Sequence, residues 1–377
     1  MYSLLRRGIR VKQYRLDGVK ILLIMPEEPD LTSTTKPALD PSIQTENIAF
    51  AANELMGCGT CGRNNPPTRS KCLYCGHELD IQGENWTKIR PVIRPLESWE
   101  RGFNVIFQKK KARAKIPVPE VAELISQSID DTGLFLASGK ILPLARVNGI
   151  KDAEIMTARL ATLGLICQIV SDEALAADEA PVRLAGIEIE KNAITFIAFF
   201  THSATKIAIG DLALIVPGFF SENKIDMVES RKRKGTEVFD QVESSVHDTI
   251  VDVFSKSDPK GFRIQLAGFD FSCLGAEKGF LAAENIKKLL GFLIKLAPKA
   301  KLVDDYGSVR RMLDHVWELE KRSEPQGMKR LGFGKTGLQK IETRSNLQQF
   351  TRYSRLQWHL YEQEGIAQDA EKKTAAT

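Results

Sequence analysis

No stretch of the 377-residue chain is apolar for the roughly 18–20 residues that a membrane-crossing helix needs. The strongest early run, residues 21–25 (ILLIM), is strand-sized and flanked by charge. The basic N-terminus (Arg6, Arg7, Arg10, Lys12) leads into neither an apolar segment nor a small-residue cleavage site, so a secretory signal is not expected. Cysteine is scarce, with six residues, four of them in two C-x-x-C pairs. That usage argues against a disulfide framework and for metal binding in a reducing compartment, hence a cytoplasmic protein. Cys167 and Cys273 stand alone in apolar contexts and read as buried thiols. The net charge of +5 is too small to imply nucleic acid by itself.

Catalytic phrases are also missing. There is no G-x-S-x-G and no H-E-x-x-H. Residues 332–336 (GFGKT) have the ending of a phosphate loop, but Lys329 stands where its first glycine belongs, and Asn148-Gly149 alone is no nucleotide fingerprint. His202, His247, His315 and His359 are isolated from carboxylate or cysteine partners in sequence, and the pairs Asp130-Asp131 and Asp304-Asp305 read as turn chemistry. No catalytic residue is assigned, and a non-enzymatic role is expected.

Most of the chain should nevertheless fold. Its composition, 43% hydrophobic and 27% charged, is ordinary for a globular protein, and its length suits two or three domains. The expected fold class is α+β and multidomain. Residues 1–55 read as a leader, with strands around Asp17-Gly18 and a flexible linker over 26–45. Residues 56–80 form the cysteine module and 81–119 a basic connector with one strand, FNVIFQ, at 103–108.

Residues 120–176 read as a small strand–helix–strand unit, parallel and right-handed, its helix carried by Ile150, Ala153, Met156, Leu160 and Leu163. Over 182–300, five or six apolar runs separated by turn signals such as Pro217-Gly218 predict an antiparallel meander sheet, followed by one packing helix ending at Pro298. Residues 301–377 are expected to be helical, with a loop at 323–336 rich in Gly and Lys and a polar tail. In its element order the segment 182–297 resembles the pleckstrin-homology-like architecture. Such a resemblance implies that the basic turn Arg231-Lys232-Arg233-Lys234 meets acidic lipid heads or acidic peptides; a plain solvated turn is the preferred reading, and a lipid surface is not expected.

The cysteine module is the clearest text in the chain. It reads CGTCGRNNPPTRSKCLYCGHEL, two C-x-x-C-Gly pairs separated by ten residues. Each C-x-x-C turn puts two sulfurs on one side of an ion, and the following glycine tolerates positive φ. Four thiolates from Cys58, Cys61, Cys72 and Cys75 fill a tetrahedral zinc shell and leave no position for water, so one structural Zn2+ is expected. His77 is surplus to that shell.

Residues 58–79 resemble the short bacterial zinc-ribbon family, whose signature is C-x-x-C-Gly, a polar loop, C-x-x-C-Gly and a Leu. The spacing is also similar to that of the Ran-binding-protein-type zinc finger, with Asn65 at that family's asparagine. Met56 stands where the family usually has Trp, and Gly62-Arg63 where some members carry a ubiquitin-binding dipeptide. The resemblance implies zinc, and it implies RNA or protein as a partner. Arg63, Arg69 and Tyr74 are the candidate contact residues.

A second candidate surface follows the module. Residues 88–115 hold nine basic residues, including Lys109, Lys110 and Lys111, against Glu97 and Glu100, with Trp86 and Trp99 nearby. Basic charge interleaved with aromatics is one form of nucleic-acid footprint, and a lysine run that keeps a strand edge soluble is the other reading. A scaffold or regulator that binds another protein is therefore expected. RNA or DNA binding through the ribbon and its basic flank is the alternative.

Overall fold

The computed structural model describes residues 10–16, 19–25, 50–80, 93–94, 96, 100–112, 115–232, 235–332 and 335–375. The linker expected at 26–45, together with Lys88, Arg90, Trp86, Trp99, Arg113, Arg233, Lys234 and the Phe333-Gly334 pair, lies outside them. The chain divides into two units, the second beginning at Ala52. In the first, β1 (Arg10–Leu16) and β2 (Val19–Met25) pair antiparallel from Leu16↔Val19 to Arg10↔Met25.

The second unit opens on a 3-10 turn, Ala52–Glu54, and the cysteine module with β3 (Met56–Gly57) and β4 (Asn64–Asn65). Then come β5 (Phe103–Lys110), α1 (Val118–Ile125), α2 (Ile129–Ser138), β6 (Pro143–Val147), α3 (Ile150–Thr162) and β7 (Leu165–Ser171). Local chemistry explains the helix ends. Pro119 sits in the first turn of α1, where no amide is needed. Ser128 caps α2 by accepting from the Asp131 amide and donating to Asp131 Oδ2 at 2.6 Å, so Asp130-Asp131, read from sequence as a loop turn, stands instead in the first turn of a helix. Gly164, at φ +89°, releases the chain from α3.

Strands β6 and β7 are parallel, as the strand–helix–strand reading requires, but they are not neighbours. Both pair antiparallel with β5, which lies between them in the order β6–β5–β7. The strand assigned to a connector is thus the centre of this sheet. The reason lies in its residues: Val105, Ile106 and Phe107 are each at most 2% exposed, so both faces of β5 are covered.

Strands β8 (Val182–Ile189), β9 (Ala193–Ala198), β10 (Ala204–Ala208), β11 (Leu212–Lys232), β12 (Gly235–Ser255) and β13 (Phe262–Gln265) follow. After them come α4 (Ala282–Leu296), β14 (Lys301–Leu302), α5 (Tyr306–Leu313), β15 (Glu320–Gly332), β16 (Lys335–Ser345) and α6 (Leu347–Ala375). The sheet is not the single meander that the spacing suggests. Its order is β10-β9-β8-β13-β12-β11-β16-β15, with β8 and β13 joined in parallel and β14 beside β11.

Two more expectations fail here for identifiable reasons. Pro217-Gly218 is no turn: the chain runs straight through it within the 21 residues of β11. Pro217 is tolerated because, among the described residues, β14 pairs only with Leu214 and Ile215 and the β16 pairing begins at Glu222, leaving that edge of β11 without a ladder between them. Gly218 is required because a Cβ there would lie 2.2 Å from Cε2 of buried Phe350. The region 301–377 is also not wholly helical, since its Gly- and Lys-rich loop is the hairpin β15–β16, laid along the outer half of β11.

Two apolar cores and one small one hold the unit. The first draws on β5, β6, β7, α1–α3, β11, β12, α5 and α6, and so crosses the segment boundaries read from composition. The second packs β8–β13 against α4 through Ile286, Leu289 and Leu293. Polar ties join the layers: Trp317 Nε1 donates to Asn104 Oδ1 at 3.0 Å, and Arg263 clamps Asp252 with two bonds of 2.7 Å.

Candidate metal centre

The four sulfurs of Cys58, Cys61, Cys72 and Cys75 come together, all within 4.8 Å of one another. The pairs Cys58–Cys75 and Cys61–Cys72 are each 3.6 Å apart. A tetrahedron of sulfurs about 2.3 Å from one ion has edges of about 3.8 Å, whereas a disulfide would bring two sulfurs to about 2.05 Å. The separations fit a metal cage, and all four thiols are free.

Backbone builds this cage. The Gly62 amide donates to Cys58 O at 2.8 Å and the Gly76 amide to Cys72 O at 3.1 Å, closing two equivalent knuckles. Both glycines have the positive φ that the sequence pattern anticipates, +68° and +73°. Cys58 N donates to Arg63 O and Cys72 N to His77 O, at 3.0 and 2.8 Å, so His77 serves through its carbonyl. The module's own core is Met56, Cys58, Cys72 and Leu79, which leaves the four sulfurs to hold the rest.

Asn65 has a positioning role that the spacing alone does not reveal. It is fully buried; its Oδ1 accepts from the Leu73 amide at 2.8 Å. Its Nδ2 donates to Arg63 O at 2.9 Å and to Cys72 Sγ at 3.4 Å. One side chain thus ties the first knuckle to the second. Asn65→Ala should lower metal affinity roughly 10–100-fold, the usual cost of losing a ligand's supporting hydrogen bond. A chelator competition titration measures this.

The electrostatics of the four thiols suit a cation. Amide groups of Cys61 and Thr60 lower the Cys58 thiol. Burial pushes Cys72 up, but the amides of Cys75 and Tyr74 and the Asn65 side chain outweigh it and bring Cys72 to about 6. At Cys75 the His77 amide favours the thiolate, yet burial and the three neighbouring sulfurs push it up to about 12. Four thiolates this close repel one another, and a divalent ion removes the conflict.

The module is fastened to its neighbour. Ser70 Oγ donates to Asp152 Oδ1 at 2.7 Å, with both residues buried at the first turn of α3. On the other side of the second knuckle Leu73 and Tyr74 stay open, 52% and 56% exposed. The structure brings Arg63 to Tyr74, its guanidinium 4.8 Å from the ring centroid. Arg69 lies on the loop between the knuckles, its Nε 3.4 Å from Lys71 O.

Lys109, Lys110 and Lys111 do not join that cluster. Lys109 and Lys110 end β5 opposite Ile166 and Leu165, and all three lysines are exposed. Lys111 Nζ donates to Ala161 O, and its amide to Gly164 O, which places its charge at the C-terminus of α3. The module docks at the opposite end of α3. Ser70 meets α3 at Asp152 and Lys111 meets it at Ala161, so about 14 Å of helix, at 1.5 Å per residue, lies between the two contacts. Cys167 and Cys273 are half-buried, and burial raises both thiols.

Comparison with models of known families, with curated proteins and with solved structures returned no match.

Proposed function

We propose that this protein is a zinc-stabilised, non-enzymatic scaffold or regulator that binds a protein partner through the second knuckle of its ribbon. The observation that carries this reading is the exposed pair Leu73 and Tyr74, set on a backbone pinned by Cys72, Asn65 and the metal cage. An apolar pair held rigid pays little conformational entropy on binding, and aromatic anchors are enriched where interfaces derive their energy. Ser70 and Asp152 fix the other side, so the knuckle is presented in one orientation relative to α3. Arg63 over the Tyr74 ring adds a cation at the rim. Zn2+ is the ion that four thiolates at tetrahedral corners select.

A photo-crosslinking residue in place of Tyr74 tests this in the cells that make the protein. It should yield adducts that resist ribonuclease and yield to protease, and Leu73→Ser should reduce them at least severalfold while metal content holds at one equivalent. Adducts destroyed by ribonuclease would transfer the function to RNA. Adducts indifferent to Leu73→Ser would remove the knuckle from the interface.

A further inference from the structure

Away from the ribbon, a cavity of about 800 Å3 opens between β6, the end of α1, the start of β15 and α6. Its volume lies within the roughly 300–1,000 Å3 of small-molecule sites. Its wall mixes apolar surface from Ile125, Val316 and Leu319 with the cations of Arg146, Arg322 and Arg352.

These cations are not equally satisfied. Arg146 Nε lies 3.0 Å from Asp172 Oδ2, and its Nη2 donates to Glu100 O at 2.9 Å. Arg322 pairs with Glu320 at 2.7 Å, and neighbouring Lys321 with Glu318 at 3.9 Å, which engages both acids of the wall. Arg352 is only 5% exposed, yet its ion pair among the described residues is a 3.2 Å contact with Asp178, itself half exposed. Its Nε has no hydrogen-bond partner among the described residues.

The same helix shows what a satisfied arginine looks like. Arg355, nearly one turn on, donates to the carbonyls of Glu179, Pro259 and Lys260 at 2.8–2.9 Å. A buried guanidinium keeps its charge, and Arg352, disfavoured by burial and by neighbouring Arg146, is offset by half-exposed Asp178 and by Asp172, which Arg146 already engages. His315 on the same wall is not an anion in either protonation state; burial lowers its imidazole from the usual value, and its Nε2 donates to Leu144 O at 3.0 Å.

We propose that this cavity binds a small organic anion, its carboxylate or phosphate head against Arg352 and its apolar body against Ile125, Val316 and Leu319. The site is independent of the ribbon.

The test titrates anilinonaphthalenesulfonate into the metal-loaded full chain at physiological salt and displaces it with octanoate, octyl phosphate or octanol. Binding should saturate at one site. At least one anion should displace the probe at concentrations where octanol does not, and the stronger competitor identifies the head group. Arg352→Gln should weaken the probe and that anion roughly tenfold or more, the loss expected for a charge-assisted bond.

Should Arg352→Gln fail to fold, the double change Lys321→Gln and Arg322→Gln serves instead. Those side chains are 63% and 67% exposed, so the fold survives and binding should fall severalfold. No saturable binding, equal displacement by octanol, or unchanged affinity in whichever variant folds would overturn the proposal.

Discussion

Replacing Cys72 with serine should empty the four-sulfur cage and unfold residues 56–80 while α3 and the sheet β6–β5–β7 stay folded. The module's apolar core is four residues, two of them cysteines, which is far too little to offset the entropy of ordering the loop. With a metal bound as proposed, its folding energy is the metal's binding energy, about 10–16 kcal/mol in apparent terms for sites of this type. Among the described residues its buried polar tie outward is Ser70 to Asp152, at a helix whose packing against β5, β6 and β7 does not involve the module. Hydrogen exchange reads the outcome directly. The amides of Cys58, Gly62, Cys72, Gly76 and Leu79 should lose protection, and those of α3 should keep it. Loss of protection across the whole second unit would show that the module nucleates it, contrary to this account.

The second large effect is expected at Asp252, outside the cysteine module. Its carboxylate accepts two 2.7 Å bonds from Arg263, and the two side chains are 0% and 3% exposed. Arg263 continues to Thr351 of α6 through a 2.9 Å bond, so the pair ties β12 and β13 to that helix. Asp252→Ala would leave a buried guanidinium without a counter-charge, a loss of about 3–5 kcal/mol. The exposed pair Lys206–Glu190 provides the contrast: its removal should cost less than about 1 kcal/mol. Chemical denaturation of both variants at neutral pH measures the difference. Equal costs would mean that the buried pair is not structural.

These two sites differ in how far they could be read from sequence. The metal cage was legible because everything it needs is local: C-x-x-C turns, a following glycine in each, and four thiolates within 18 residues. Helices α3 and α4 were legible because their apolar spacing matches the face that each buries. The path of β11 was not, since Pro217-Gly218 reads as a turn until Phe350, more than a hundred residues later, is seen to need the space. The hairpin β15–β16 was hidden for a related reason. Its residues, EKRSEPQGMKRLG and KTGLQKIETRS, have little strand character, and they form strands because β11 offers them an edge. Ser70 meets Asp152 across 82 residues and Arg146 meets Asp172 across 26, separations that no local pattern spans.

X-ray absorption at the zinc edge, on protein purified without added metal, tests the central claim most directly. The account predicts one zinc per chain bound by four sulfurs at about 2.3 Å, with the signal lost in the Cys72 variant. Metal-free protein with Cys58, Cys61, Cys72 and Cys75 joined in disulfides, or a zinc shell that includes nitrogen from His77, would contradict it.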